Sequence, residues 1–236
     1  MYSRICRSLC TVLENSDSER CEELRAQIYF RLERWDEAFA IYQNALRNTV
    51  DSFEPERIAN LIACAAMVTQ FRPDLPAEDF EHKVEGETYE SAFNEACRLT
   101  GTNEYAQAQD ELIRAEKLCR VSFDDQEDEL GSELASIRFQ LGYLHQLQGK
   151  RNEAISAYNL VLDTSDDPVT SALANHNLGT MNKDDNILDS RKKFKGIQAT
   201  NVDGKLTSSQ RSVTKKNRAL LALYRLNSVF AVSFGK

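Results

Sequence analysis

Between residues 20 and 180 the apolar positions recur at three- and four-residue spacing, the period of a helix with one buried stripe. Three segments share a longer pattern: a small residue, a bulky one three later, and an alanine twelve after the small residue. A bulky residue follows that alanine by four, and a small or β-branched one comes three further on. The copies are Ala26, Tyr29, Ala38, Tyr42, Ala45; Ala96, Leu99, Ala108, Leu112, Ala115; and Gly142, His145, Ala154, Tyr158, Val161. Polar residues separate the two halves at Glu33–Arg34, Thr102–Asn103 and Gly149–Lys150, and they predict tight turns. Each copy therefore reads as two antiparallel helices, with the small residue letting the second helix approach and the aromatic filling the space beside it.

Two half-copies extend the array. Ile58, Leu61, Ile62 and Ala65 fit a first helix, and Pro73 and Pro76 interrupt the place of its partner. Leu178–Gly179 follows Pro168 and predicts another first helix ending near Asn182. The acidic stretch Ser122–Asp128 reads as a solvated loop. Past Asn182 the character changes: a basic cluster, then Asp203–Gly204 as the turn of a small hairpin. A helix capped by Ser208 or Ser209 then runs to about Val232, with Leu220, Leu223, Tyr224 and Val229 expected to dock on the last repeat. Residues 1–182 thus form helical repeats, and 183–236 a basic loop or small hairpin plus a capping helix.

Composition supports helices. Nine glycines and four prolines in 236 residues are about half the usual ~12%, too few for a sandwich or barrel with a turn every ~8–12 residues. The longest apolar run, Leu61 to Val68, is far short of the ~18 residues of a membrane span, and Arg4, Arg7 and Glu14 interrupt any signal-peptide core. The chain reads as soluble and cytoplasmic, with no membrane insertion. Net charge is −8 but divides unevenly: −16 over residues 1–180 and +8 over 181–236. That asymmetry points to a segment facing a different partner, such as nucleic acid, or to neutralisation of the acidic body.

Little chemistry is on offer. The six cysteines form no C-x-x-C pair, and Cys64, Cys97 and Cys119 lie among apolar residues as small core side chains. His82, His145 and His176 are scattered, and no phosphate loop or nucleophile elbow occurs. Neither catalysis nor a cofactor, metal or small-molecule substrate is expected.

The paired-helix pattern resembles the tetratricopeptide repeat, whose first helix carries L-G-x₂-Y and whose second opens on A-x₃-F. It implies an all-α superhelical solenoid with a C-terminal capping helix. More specifically, three stretches resemble the family of seventy-two-kilodalton signal recognition particle subunits. They are Leu24 to Ala38, Asn182–Asn186 with Asp189–Lys193, and Asn217 to Tyr224. The resemblance implies a non-catalytic scaffold. Its groove holds the sixty-eight-kilodalton subunit, in a ribonucleoprotein serving co-translational targeting to the endoplasmic reticulum. Family members carry further repeats upstream, so Met1 reads as the start of a truncated or variant chain. Their lysine-rich RNA-binding segment has no counterpart before Lys236, so this chain is expected to bind RNA weakly.

In such arrays the first helix of each pair lines the concave groove. That register assigns Glu23, Gln27 and Phe30, then Phe93 and Cys97, then Phe139 and Tyr143, then His176 and Thr180 to the groove, with the aromatics as anchors for a helix or extended peptide. Packing on a neighbouring helix is the competing role. Arg191, Lys192, Lys193 and Lys195, with Phe194 interleaved, are candidate RNA contacts by backbone pairing and stacking. The alternative function is a co-chaperone adaptor with a clamp of lysine, asparagine and arginine. Its positions here read Glu23, Gln27, Asn94, Ser136 and Gln140, and only Asn94 fits.

Overall fold

The structure, a computed structural model, describes residues 19–72, 74–81, 86–124, 127–195, 197, 202 and 204–234. These residues are mostly helical and contain no strand. Two compact units divide the chain, residues 1–122 and 123–236.

The first unit contains α1 (Glu19–Arg31), α2 (Trp35–Asn48), α3 (Glu54–Phe71), α4 (Tyr89–Gly101) and α5 (Tyr105–Ser122), with a 3-10 turn at Ala77–Phe80. The twelve-residue intervals become the close contacts of the α1–α2 and α4–α5 hairpins: Ala26, Ala38, Ala96 and Ala108 are all fully buried. Helix α3 packs on both α2 and α4. As its two prolines predict, no full partner helix follows among the described residues. Instead Phe80 of the 3-10 turn meets Phe39 edge-on at 5.2 Å, and Phe71 lies 5.8 Å from Trp35. Both contacts close the apolar cluster of Tyr29, Tyr42, Leu61 and Val68. Each large side chain removed from water there is worth ~1.5–3 kcal/mol. Thr88 caps α4, accepting the Ser91 amide at 3.2 Å.

The second unit contains α6 (Glu127–Leu147), α7 (Arg151–Thr164), α8 (Pro168–Met181), α9 (Ile187–Lys193) and α10 (Ser208–Phe234). In the α6–α7 hairpin Gly142 lies under Tyr158, and a Cβ there would fall 2.9 Å from the Tyr158 ring. Asp167 caps α8, accepting the Thr170 amide at 2.8 Å, with Pro168 in the first turn.

The three hairpin turns share one device. Glu33, Asn103 and Gly149, each seven residues after the small residue of its copy, take φ of 63°, 65° and 73°. The following amide donates back to the carbonyl five residues earlier: Arg34 to Tyr29, Glu104 to Leu99 and Lys150 to His145, all at 2.9 Å. This is the left-handed helix ending that glycine adopts most easily. Glutamate at that position carries strain.

Several expectations for the C-terminal part are corrected. The basic cluster is not a loop: Arg191, Lys192 and Lys193 are in α9, and only Lys195 lies in a turn. Helix α9 is also the missing partner of α8. Phe194 covers Gly179, whose Cβ would fall 2.8 Å from that ring, as Tyr158 covers Gly142. No hairpin forms around Gly204 among the described residues: Val202 is helical, Gly204 and Lys205 turn, and Ile197, Val202 and Leu206 pack on Ala172. Asp203 itself lies outside the described residues. Helix α10 is capped by Thr207 rather than by a serine. The Thr207 hydroxyl accepts the Gln210 amide at 3.1 Å, and the Gln210 side chain accepts the Thr207 amide at 2.9 Å, a reciprocal capping box. Leu220 and Leu223 do not dock: they are 62% and 57% exposed, whereas Thr214 and Leu221 are buried. The side chains of Tyr224 and Val229 lie outside the described residues. The acidic stretch at 122–128 is shorter than a full loop, because Ser122 ends α5 and α6 begins at Glu127.

Candidate partner-binding site

The groove positions fall into two sets relative to the small residue of each first helix. Three residues before it stand Glu23, Phe93, Phe139 and His176; one residue after it stand Gln27, Cys97, Tyr143 and Thr180. The structure separates these sets.

The earlier position turns toward neighbouring helices. Glu23 accepts from Arg57 of α3 at 2.5 Å. Phe139 packs into the cluster of Ala135, Ala154 and Tyr158, with its ring 5.6 Å from that of Tyr158. His176, expected in the groove, is only 3% exposed. Phe194 stacks on it at 4.3 Å, and Asn217 of α10 meets its Nε2 at 3.1 Å. Burial, with the Arg218 charge beside it, lowers its pKa to about 4, so the ring is neutral. The assignment of His176 to the groove is therefore overturned, because α9 and α10 cover it. Phe93 at the equivalent place is half-buried.

The later position stays more open. Gln27 is exposed, and Cys97, Tyr143 and Thr180 are half-buried. Burial pushes the Cys97 thiol up to about 12, so it stays protonated and unreactive at neutral pH. Phe30, also half-buried, packs against the first unit's apolar cluster. In the second unit Tyr143 stands on the same helix as a buried polar network. The Tyr158 hydroxyl donates to Gln146 at 2.9 Å and accepts from Asn177 of α8 at 3.0 Å. That network fixes the α6–α7–α8 contact, and with it the face on which Tyr143 stands.

Arg57 escaped the sequence reading. It is 5% exposed and pairs with Glu23 and, through both terminal nitrogens, with Asp51 at 2.7 and 2.8 Å. The Asp51 carboxylate raises the arginine pKa further, and the arginine lowers that of Asp51 in turn. The triad joins α1, the α2–α3 connection and α3. Nothing in the pattern marked an arginine on an apolar stripe as paired.

The adaptor clamp has no basis. Its one matching residue, Asn94, donates to the Ala59 carbonyl at 2.9 Å, and Gln140 is buried. Of the candidate RNA contacts, Arg191, Lys192 and Lys195 are exposed, whereas Lys193 is half-buried and 4.0 Å from Asp189. Phe194 is buried on His176 and unavailable for base stacking. Among the described residues no group of three histidine, cysteine or carboxylate side chains could hold a metal ion. No described helix is long and apolar enough to cross a membrane.

Stacked antiparallel hairpins with a small-residue contact in each, and open polar and aromatic positions on the first helices, define an all-α repeat protein of tetratricopeptide type. No family model matches the chain. Among curated proteins it is similar to signal recognition particle subunit SRP72 of Canis lupus familiaris and of Homo sapiens, each 37% identical over 216 residues. Those alignments cover 89% of this chain and 32% of each relative. The Schistosoma mansoni SRP72 is 33% identical over 216 residues, covering 89% of this chain and 30% of the relative. The chain is SRP72-like over that region, and it spans about a third of the length of the curated relatives it matches.

Proposed function

We propose that this chain is a non-catalytic scaffold subunit of the signal recognition particle, cytoplasmic, and acting in co-translational targeting to the endoplasmic reticulum. Its work is to hold a protein partner, the sixty-eight-kilodalton subunit, against the first-helix faces. The observation that carries the reading is the similarity to SRP72 across 89% of the chain. The more open first-helix positions support it: Gln27 and Cys97 in the first unit and Tyr143 in the second. Half-buried aromatics suit this role, since they give large contact area with few rotatable bonds. RNA contributes little to the reading. Arg191, Lys192 and Lys195 give salt-sensitive phosphate contacts beside a strongly acidic body.

Calorimetric titration of the chain with the C-terminal part of the sixty-eight-kilodalton subunit tests the proposal. Saturable binding is expected in buffer of physiological salt, with only weak binding to the particle RNA alone. No heat of binding to the protein partner, or sub-micromolar affinity for the RNA alone, would contradict it.

A further inference from the structure

Helix α10 carries a second interaction surface, separate from the first-helix positions. Its docked side is Thr214 and Leu221, both buried, with Asn217 on His176. At 100° per residue, Val213, Lys216, Leu220 and Leu223 fall together on another side of the helix, within an arc of roughly 80°. Val213, Leu220 and Leu223 are 50%, 62% and 57% exposed. Ala219 is exposed beside them. The composition is that of a helix-packing face: leucines in a row with an alanine at its edge that allows close approach, as Ala26 and Ala96 do inside the hairpins. Charge adds a second feature. Between Ser208 and Phe234 the sequence holds five basic residues and no acidic one. Exposed Lys216 lies within the row, between Leu220 and Leu223, and exposed Lys215 about 80° to one side of it.

We propose that this side of α10 docks an acidic amphipathic helix of a partner protein. The apolar row recurs at helical spacing, so it fits the ridge of a second helix. Lys216 within the row and Lys215 to one side of it select carboxylates on the partner helix and reject basic helices. A nucleic acid would leave Val213, Leu220 and Leu223 unused. An extended anionic surface such as a membrane would meet the −7 charge of residues 123–180, in the same unit, as well as the helix.

The test uses the whole chain and a fluorescent three-heptad peptide with leucine on one face and glutamate elsewhere, followed by anisotropy. Comparison probes are the same peptide with lysine for glutamate, oligo-uridine RNA, and vesicles of phosphatidylcholine with phosphatidylserine. Saturable binding of the glutamate peptide is expected, with no binding of the lysine peptide. The double variants Leu220→Ser/Leu223→Ser and Lys215→Glu/Lys216→Glu should each weaken binding tenfold or more. Because all four side chains are exposed, their circular-dichroism melting should match wild type. Three results overturn the proposal: no saturable binding of the glutamate peptide, affinity unchanged in the leucine variant, or tighter binding to RNA or vesicles than to the peptide.

Discussion

Two glycines on α6 provide a paired test of the hairpin contact. Replacing either by alanine removes the conformational freedom of glycine from a helix interior, which should stabilise by ~1 kcal/mol. At Gly131 the new methyl would meet only the Thr164 carbonyl at 3.6 Å, an ordinary contact. At Gly142 it would lie 2.9 and 3.0 Å from two ring atoms of Tyr158 and 3.2 Å from the Ala157 Cβ. Tyr158 is fully buried and held at its hydroxyl by Gln146 and Asn177, so its ring has no room to retreat. Overpacking of this kind costs ~1–3 kcal/mol. Gly131→Ala should therefore be stabilised by ~1 kcal/mol, and Gly142→Ala should fall ~1–3 kcal/mol below it. The two melting temperatures should differ by roughly 4–12 °C, since each ~1 kcal/mol moves a domain of this size by about 4 °C. Thermal melting by circular dichroism reads the difference directly. Equal stabilisation by both substitutions would refute the claim that α7 approaches α6 through Gly142.

Three further outcomes are expected. Glu33→Gly should raise stability by ~1 kcal/mol, because glycine accepts the positive φ of the α1–α2 turn without a Cβ clash; an unchanged or lower urea midpoint would contradict this. Arg57→Met should lower the urea midpoint, since it strips the cation that joins Glu23 and Asp51 across α1, the α2–α3 connection and α3; an unchanged midpoint would show the triad to be incidental. For His176 the folded pKa of about 4 lies below the unfolded ~6.5. The proton is therefore bound preferentially by the unfolded chain, and stability falls as pH drops through that window. Between pH 7 and 5 the wild type should lose ~2 kcal/mol more than His176→Asn, and parallel losses in the two would contradict the burial of a neutral ring.

The hairpins were legible because three copies keep the same twelve-residue interval, which close helix packing imposes on the residues themselves. The α8–α9 pair was not, because its spacing slips by one. Buried Ser190 stands eleven residues after Gly179 in the alanine's role, and Phe194 fifteen after it does the work of Tyr158. Arg191 occupies the position where the alanine was expected. The rotation of α10 was equally hidden. Leucines alone would place Leu220 and Leu223 inside, but the bond from Asn217 to His176 turns Thr214 and Leu221 inward. At the candidate site, periodicity showed which residues share a helix side but not which neighbour each one meets. Glu23, Phe139 and His176 are equivalent in register, and each is engaged by its own neighbour: Arg57, Tyr158 and Phe194.

That distinction selects the residue for testing partner binding. Phe139→Glu would introduce a charge against Tyr158 and Ala135 and should melt well below wild type. Tyr143, half-buried at the more open position, is the better probe. The deciding measurement is calorimetric titration of Tyr143→Glu with the C-terminal part of the sixty-eight-kilodalton subunit, alongside its melting curve. The account predicts a melting temperature close to wild type and an affinity lower by roughly thirtyfold, the ~2 kcal/mol of a lost aromatic anchor. A Tyr143→Glu chain that stays folded and binds with wild-type affinity would contradict it.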